Sequence, residues 1–221
     1  MKLIYLGHSA FYIESGDFKA LIDPFIQGNP QCPFELDDFP QLSHILVTHG
    51  HADHIGDTVA LAQKTGALVV CNHELGHYFQ GQGLKNVHTM HIGGRFDRFK
   101  MTPAWHGSSV EIDGKLYDGG TPAGFLIDLD GIKIYHAGDT GLTMEMQLLQ
   151  SEKIDYALLP IGSNYTMDWP DVLRAVEMIQ PKTLIPMHYN TFEAIKVDFD
   201  QLAIPEKLNM KMLRPGETLD L

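Results

Sequence analysis

Residues 47–57 read VTHGHADHIGD. Three histidines and an aspartate fall between His49 and His54, directly behind the apolar run His44-Ile45-Leu46-Val47. The pattern H-x-H-x-D-H differs from the helical H-E-x-x-H arrangement, in which two histidines share one helix face at i and i+4. Here the chain has just left a strand and has not yet begun a helix. In such an extended turn His49 and His51 can point the same way, toward one metal ion. Asp53 and His54 are adjacent, so they diverge at the start of the helix and can reach a second ion. Imidazole together with carboxylate suits zinc, manganese or iron, and the lack of cysteine in the cluster argues against a closed structural zinc site. A solvated polar turn in which Asp53 caps the helix would explain that one residue. It would leave three histidines without a purpose.

A catalytic metal site needs ligands from elsewhere in the chain, and three residues of the right type stand just past other strand-like runs. His106 follows FKMTPAW, Asp139 follows IKIYH in HAGDTG, and His188 follows TLIPM. Sheets bring such strand ends to one edge, where loops gather functional groups.

The surrounding pattern alternates strand and helix. AFYIES and FKALID flank Gly16-Asp17, a hairpin signal. SHILVTH is a further strand, Ile55, Val59 and Ala62 fall at helical spacing ending near Thr65-Gly66, and ALVVC is a strand again. The second half repeats this order: AGFLIDL and IKIYH around Asp130-Gly131, then DYALLPI, a helix over 172–179, and TLIPMH. Phe11, Ile13, Glu14 and Lys19 match Phe125, Ile127, Asp128 and Lys133 at one fixed offset, and His73 after ALVVC falls near His188. The expected fold is therefore α/β and internally duplicated: two mixed sheets packed face to face with helices outside. The 221 residues are read as a single domain, 1–221. Pro24–Pro40 and Asp113–Pro122 are read as irregular or flexible connections.

T-H-G-H-A-D-H, followed by an isolated His, a Gly-Asp-Thr and a further His, resembles the metallo-β-lactamase superfamily of αββα hydrolases. GHSAFYIESGDFKALIDP, AWHGSS, IYHAGDTG, LPIGSNYTM and PMHYNTF narrow the likeness to a branch of small metal-dependent hydrolases related to ascorbate-phosphate lactonase and N-acylphosphatidylethanolamine phospholipase D. The resemblance implies a four-layer αββα sandwich and a binuclear centre. By it, His49, His51 and His106 hold one divalent ion, Asp53, His54 and His188 hold the other, and Asp139 bridges them. Zinc and manganese are the metals expected. Two such ions, about 3.5–4 Å apart, would lower the pKa of a shared water and supply bridging hydroxide near neutral pH. Asp53 is in addition the expected catalytic residue, orienting the nucleophile or carrying a proton. His8, Asn164, Thr166, Tyr189 and Asn190 flank the ligands and are expected at the substrate. Ser163 stands where the family pattern has an acidic residue or glycine. His136 is expected to pack within its strand, and His44, His77, His88 and His91 are read as ordinary surface or core residues.

The formal net charge of −12 repels nucleic-acid backbones and anionic membranes, and no basic cluster offsets it, which makes nucleic acid a poor substrate. No apolar run is long enough to span a bilayer, and the N-terminus reads as a first strand, not a signal peptide. The two cysteines form no disulfide framework, and a cytoplasmic location is the simplest expectation. The expected activity is metal-dependent hydrolysis of a small ester, a phosphodiester or lactone, anionic substrates included, with a homo-oligomer left open. The rival reading is a non-catalytic metal-binding or partner-binding module on the same fold. A redox role of the flavodiiron kind is disfavoured by His51, where those proteins carry glutamate, and by the length of the chain.

Overall fold

Two hairpins built to the same plan organise the chain. The computed structural model describes residues 1–221 as fifteen strands and four α-helices. The first sheet runs β15 (Thr218–Asp220), β1 (Lys2–Gly7), β2 (Ala10–Ser15), β3 (Phe18–Ile22), β4 (His44–Leu46), β5 (Leu68–Asn72) and β6 (Val87–Met90). The second runs β14 (Thr183–Met187), β13 (Tyr156–Pro160), β12 (Ile132–His136), β11 (Ala123–Leu129), β8 (Phe99–Pro103) and β7 (Arg95–Phe96). A separate hairpin joins β9 (Ser109–Ile112) to β10 (Lys115–Asp118). The helices are α1 (Ala52–Ile55), α2 (Thr58–Thr65), α3 (His73–Gly81) and α4 (Trp169–Ile179).

The duplication expected from the sequence is visible as register. In β2–β3, Phe11 faces Ile22, Ile13 faces Ala20 and Glu14 faces Lys19. In β11–β12 the pairs 114 positions on are identical in register: Phe125 with His136, Ile127 with Ile134, Asp128 with Lys133. Each antiparallel hairpin then adds two parallel strands, β4 and β5 in one sheet, β13 and β14 in the other.

Side-chain alternation along these strands sorts the core into layers. Phe11 and Ile13 of β2 join Phe125 and Ile127 of β11 in the core between the sheets. On the outer face of the first sheet, Ile45, Val47, Val69 and Cys71 pack on Leu61 and Ala62 of α2 and on Leu75 and Phe79 of α3. Against the second sheet, α4 buries Trp169, Val172, Ala175 and Ile179, the spacing of one helix face. The result is the αββα sandwich. Cys71 is buried filler, and His136 is fully buried with Nε2 on the Ser9 carbonyl at 2.9 Å, as expected. No helix is long and apolar enough to cross a membrane.

Two local expectations are corrected. The helix expected to run from Ile55 to Thr65 is split, because Gly56 takes φ +38° where a Cβ would collide with the Pro24 backbone. The Asp113–Pro122 stretch is not merely flexible, since Lys115–Asp118 pairs with β9.

Strand sense explains where function can sit. In the first sheet β1, β3, β4, β5 and β6 all run one way, and in the second β8, β12, β13 and β14 do the same. Their C-terminal ends therefore emerge along one edge of each sheet. The two edges are joined by backbone bonds from His188 N to His8 O (2.7 Å) and from Ala123 N to Thr48 O (3.0 Å).

Away from that edge, Glu152 ties three strands together. Its carboxylate accepts from Lys100 Nζ at 2.7 Å and Arg95 Nη2 at 2.8 Å, and Lys133 Nζ lies 3.7 Å away. The Lys100 hydrogen bond is the largest cause that holds the Glu152 carboxyl below its ordinary range. A depressed carboxyl contributes stability above its unfolded pKa of about 4.3 and loses it as pH falls through the folded value. Glu152→Gln is expected to cost about 1 kcal/mol at neutral pH. The difference from wild type should shrink toward zero as pH falls through the depressed folded value, as read by urea denaturation at neutral pH and at a series of acid pH values.

Candidate metal centre

His49, His106, Asp139 and His188 each stand just past a strand end. Thr48 follows β4, and its hydroxyl sits 3.0 Å from His49 Nδ1 while donating to Asp23 Oδ2 at 2.7 Å. With its proton committed to Asp23, the hydroxyl accepts from Nδ1–H of His49, which leaves His49 Nε2 as a lone pair. That atom lies 3.0 Å from His51 Nδ1, and the His106 ring is 5.1 Å, centre to centre, from both His49 and His51. One ligand atom from each of the three lies within 4.8 Å of the others. His106 is placed by its neighbours: Trp105 N donates to Thr140 Oγ1 (2.9 Å), and Gly141 N donates to Trp105 O (3.0 Å), which pins the AWHGSS turn to the loop of Asp139.

The second group comprises Asp53, His54 and His188, all within reach of a common ion, and His8 belongs to the same cluster. Asp53 and His54 open α1, with His51 as its N-cap. His188 takes φ +56° after β14, a conformation held by its backbone bond to His8 O. Between the two groups lies Asp139. Its Oδ2 is 2.9 Å from His188 Nε2, 3.4 Å from His54 Nε2 and 3.6 Å from His106 Nε2. All seven expected ligands are therefore brought together, with Asp139 in the middle.

Asp23 went unread in the sequence. It follows β3 with φ +46° and is fully buried, and it accepts from Thr48 N (2.8 Å) and from His54 Nδ1 (2.7 Å). It therefore fixes His54 with Nδ1–H toward Asp23 and Nε2 toward Asp139, the carboxylate–histidine arrangement that orients metal ligands. The only sequence signal was an aspartate ending FKALID at the same place in the repeat unit as the strand preceding Asp139.

The electrostatics follow from burial and these pairs. Burial pushes the Asp139 carboxyl upward, but His54 and His188 outweigh it and hold Asp139 well below the ordinary range. Burial pushes His54 down, but Asp139 and Asp23 together raise it well above an ordinary histidine. For His49, His51 and His106 burial lowers the pKa, which keeps them as neutral imidazoles, the form that binds metal.

The residues fit divalent ions. His54 Nε2, His188 Nδ1 and Asp139 Oδ1 are buried with no hydrogen-bond partner in the protein. Orphaned buried polar atoms are costly, and here they belong to the same imidazole and carboxylate set.

The expected substrate contacts fare less well. His8 is fully buried and has Nε2 on Asp53 Oδ2 (3.0 Å) and Nδ1 on Thr191 Oγ1 (2.9 Å), so it positions Asp53 and cannot touch substrate. Burial, the largest cause, lowers its pKa to about 4. Tyr189 turns away from the site, its ring on Tyr5 and Phe199 and its hydroxyl toward Leu213 O. Asn190 clamps its own loop, its side chain bonding the backbone of Val197. Asn164 and Thr166 flank the cavity without lining it. The residue between them, Tyr165, does line it, with Phe192 and Ile195, in a cavity of about 210 Å3 over His51, Asp53, His106, Asp139 and His188. Ser163 at φ +56° and Asn164 at φ +43° make the tight turn that presents Tyr165, a backbone conformation that glycine adopts most readily. A larger cavity of about 770 Å3 lies by Tyr189, Phe199 and Leu213, where no ligand-type cluster gathers.

Residues 19–189 match the family model described as β-lactamase superfamily domain. The chain is 54% identical over 199 residues, 88% of each chain, to a UPF0173 metal-dependent hydrolase of Alkaliphilus metalliredigens. It is 45% identical over 229 aligned residues to another from Carboxydothermus hydrogenoformans, spanning 100% of both. Among solved structures, Igni18, a metallo hydrolase of the archaeon Ignicoccus hospitalis, superposes with a TM-score of 0.87 over 99% of this chain and 97% of its own, at 36% identity. With the αββα sandwich and the ligand cluster at its joined edge, these likenesses place the chain in the β-lactamase superfamily, among its UPF0173 metal-dependent hydrolases.

Proposed function

We propose that the chain is a binuclear metal-dependent hydrolase of small esters, phosphodiesters or lactones. The observation that carries this reading is Asp139 Oδ2, within 3.6 Å of an imidazole from each ligand group. His49, His51 and His106 would hold one ion, Asp53, His54 and His188 the other, with Asp139 shared. Ions held there would act as Lewis acids and lower the pKa of water between them.

The chain's own residues supply the remainder. Asp53 is partly exposed to the cavity, and its carboxyl stays ionised: burial pushes it up, but the His8 hydrogen bond and His54 outweigh that and hold it below the ordinary range. Asp53 can therefore accept a hydrogen bond from the attacking water and carry its proton to the leaving group. A carboxylate facing an unprotonated nitrogen would be repelled, so His8 Nε2 carries the proton toward Asp53 and fixes its orientation. Tyr165, Phe192 and Ile195 form an apolar wall for the part of the ester that does not react. A cavity near 210 Å3 admits the reacting group of a small molecule and little more. Cationic charge at the ligands offsets the acidic surface for an anionic ester.

Hydrolysis of bis(p-nitrophenyl) phosphate by metal-free protein titrated with manganese and with zinc tests the reading, beside a panel of lactones. Turnover that requires metal and disappears in Asp139→Asn, with metal content falling toward one ion or fewer, is expected. Stoichiometric metal with no turnover of either substrate class would favour the binding module instead. Asp23→Asn should weaken metal affinity by about 10- to 100-fold through loss of the His54 orientation, measured by chelator competition; wild-type affinity would remove Asp23 from the centre. For His8→Gln, kcat should drop by about 10- to 100-fold with metal content and KM little changed. Loss of metal in that variant would instead make His8 a ligand.

A further inference from the structure

A second histidine cluster lies outside this centre. Residues 73–77 read HELGH, the H-E-x-x-H spacing that puts two imidazoles on one helix face. They form the first turns of α3, which begins at Asn72: its side chain accepts from Leu75 N (2.8 Å) and donates to Gly119 O (2.7 Å) and Thr121 O (3.0 Å). The helix start is thus anchored at both its own backbone and a neighbouring loop. His73 and His77 are exposed, their Nε2 atoms 3.2 Å apart and their rings nearly perpendicular at 88°. Two nitrogens bound tetrahedrally to zinc at 2.0–2.1 Å would be separated by about 3.3 Å.

Another exposed imidazole lies nearby on a different element. The His91 ring is 5.6 Å, centre to centre, from that of His73. His91 follows β6, and the turn that carries it is held by Gly94 N to His91 O and Gly93 N to Met101 O, both 2.8 Å. The helix comes this close to β6 because Gly76 has no side chain: a Cβ there would collide with Thr89 Cγ2. Glu74 takes no part, since its carboxylate fills the space beside Gly120.

We propose that His73 and His77, joined by His91 on rotation of its exposed side chain, form a second site, for one divalent transition metal of the zinc class. Three exposed imidazoles gain little from hydrogen-bonding one another where water competes, whereas neutral imidazole is a strong ligand for zinc, copper and nickel. The net charge of −12 favours cation uptake at any such cluster. Three ligands from the protein leave a fourth position to water. With Glu74 turned to Gly120, the site binds metal without the carboxylate base that a peptidase of this motif would use. It is also separate from the main centre: the chain between them runs from Gly50 N on Ser108 Oγ, through Gly119 N on Ser108 O, to Asn72 on Gly119 O. A metal there would clamp the start of α3 to the turn after β6.

Equilibrium dialysis against zinc, with bound metal counted by mass spectrometry, tests this site apart from the proposed activity. Wild-type protein should hold one equivalent more than His73→Gln/His77→Gln, and Asp139→Asn should lose metal while keeping this equivalent. In the Asp139→Asn background, 15N-edited spectra of the imidazoles should show the His73 and His77 resonances moving on addition of zinc. His91→Ala should weaken that binding at least tenfold. Equal metal content in wild type and the double variant, or unmoved His73 and His77 resonances, would overturn the site; unchanged affinity in His91→Ala would overturn the third ligand. His73, His77 and His91 are exposed, so their substitution does not threaten the fold, and the comparison of wild type with His73→Gln/His77→Gln stands without the Asp139 variant.

Discussion

A carboxylate that is 3% exposed and faces three imidazoles is the constraint on which the joined edge of the sheets depends. Burying Asp139 alone would cost several kcal/mol, so positive charge must be held beside it. His54 stands between two buried carboxylates, Asp23 at 2.7 Å and Asp139 at 3.4 Å. Burial opposes charge on His54, yet those two neighbours win and raise its pKa well above the ordinary value. The fold thus fixes a place where positive charge is favoured before any ion is considered. A divalent cation placed among the same atoms would satisfy Asp139 and take the lone pairs of the neutral imidazoles that burial keeps unprotonated.

The duplicated hairpins divide the labour. β3 and β12 correspond by register and each is followed by an aspartate, but Asp23 supports His54 from behind while Asp139 stands among the candidate ligands. β4 leads into the four-residue cluster His49, His51, Asp53 and His54, whereas its counterpart β13 leads into the turn that presents Tyr165. One half concentrates the candidate metal ligands and the other contributes Asp139, the proposed bridge, with His188 and much of the cavity wall. The common backbone plan needs only that parallel strands deliver their C-terminal ends to one edge; what stands there is free to differ between the halves.

The parts of this arrangement legible in the sequence were those whose meaning is local. The spacing H-x-H-x-D-H carries its own geometry, and His106, Asp139 and His188 were readable because each follows a strand that periodicity marks. The hairpin pairs were readable because a fixed offset survives in Phe11/Phe125 and Lys19/Lys133. Asp23 was not, because its role exists only when the chain brings it 2.7 Å from His54, 31 residues on. Tyr189 and Asn190 were misplaced for a related reason. His188 takes a left-handed conformation, and the chain beyond it turns Tyr189 toward Phe199 and Asn190 onto Val197. Adjacency to a ligand therefore said nothing about facing the cavity. Tyr165 lay between two polar residues that looked the better contacts, and only the paired left-handed turn at 163–164 shows which of the three points inward.

The ligands and the wall differ in what their replacement would disturb. His49, His54, Asp139 and His188 are buried and held through bonds that cross between strands and between sheets, so a change at one leaves a buried partner uncompensated. Tyr165 and Phe192 are 59% and 44% exposed, on loops whose shape is set by their own backbone and by Asn190. Substitution there alters the apolar face offered to substrate without touching the charge balance around Asp139. On the proposed function, chemistry and specificity would be carried by separate residues: strand ends would fix what the centre can do to a bond, and the loops after β13 and β14 which molecule can present that bond to it.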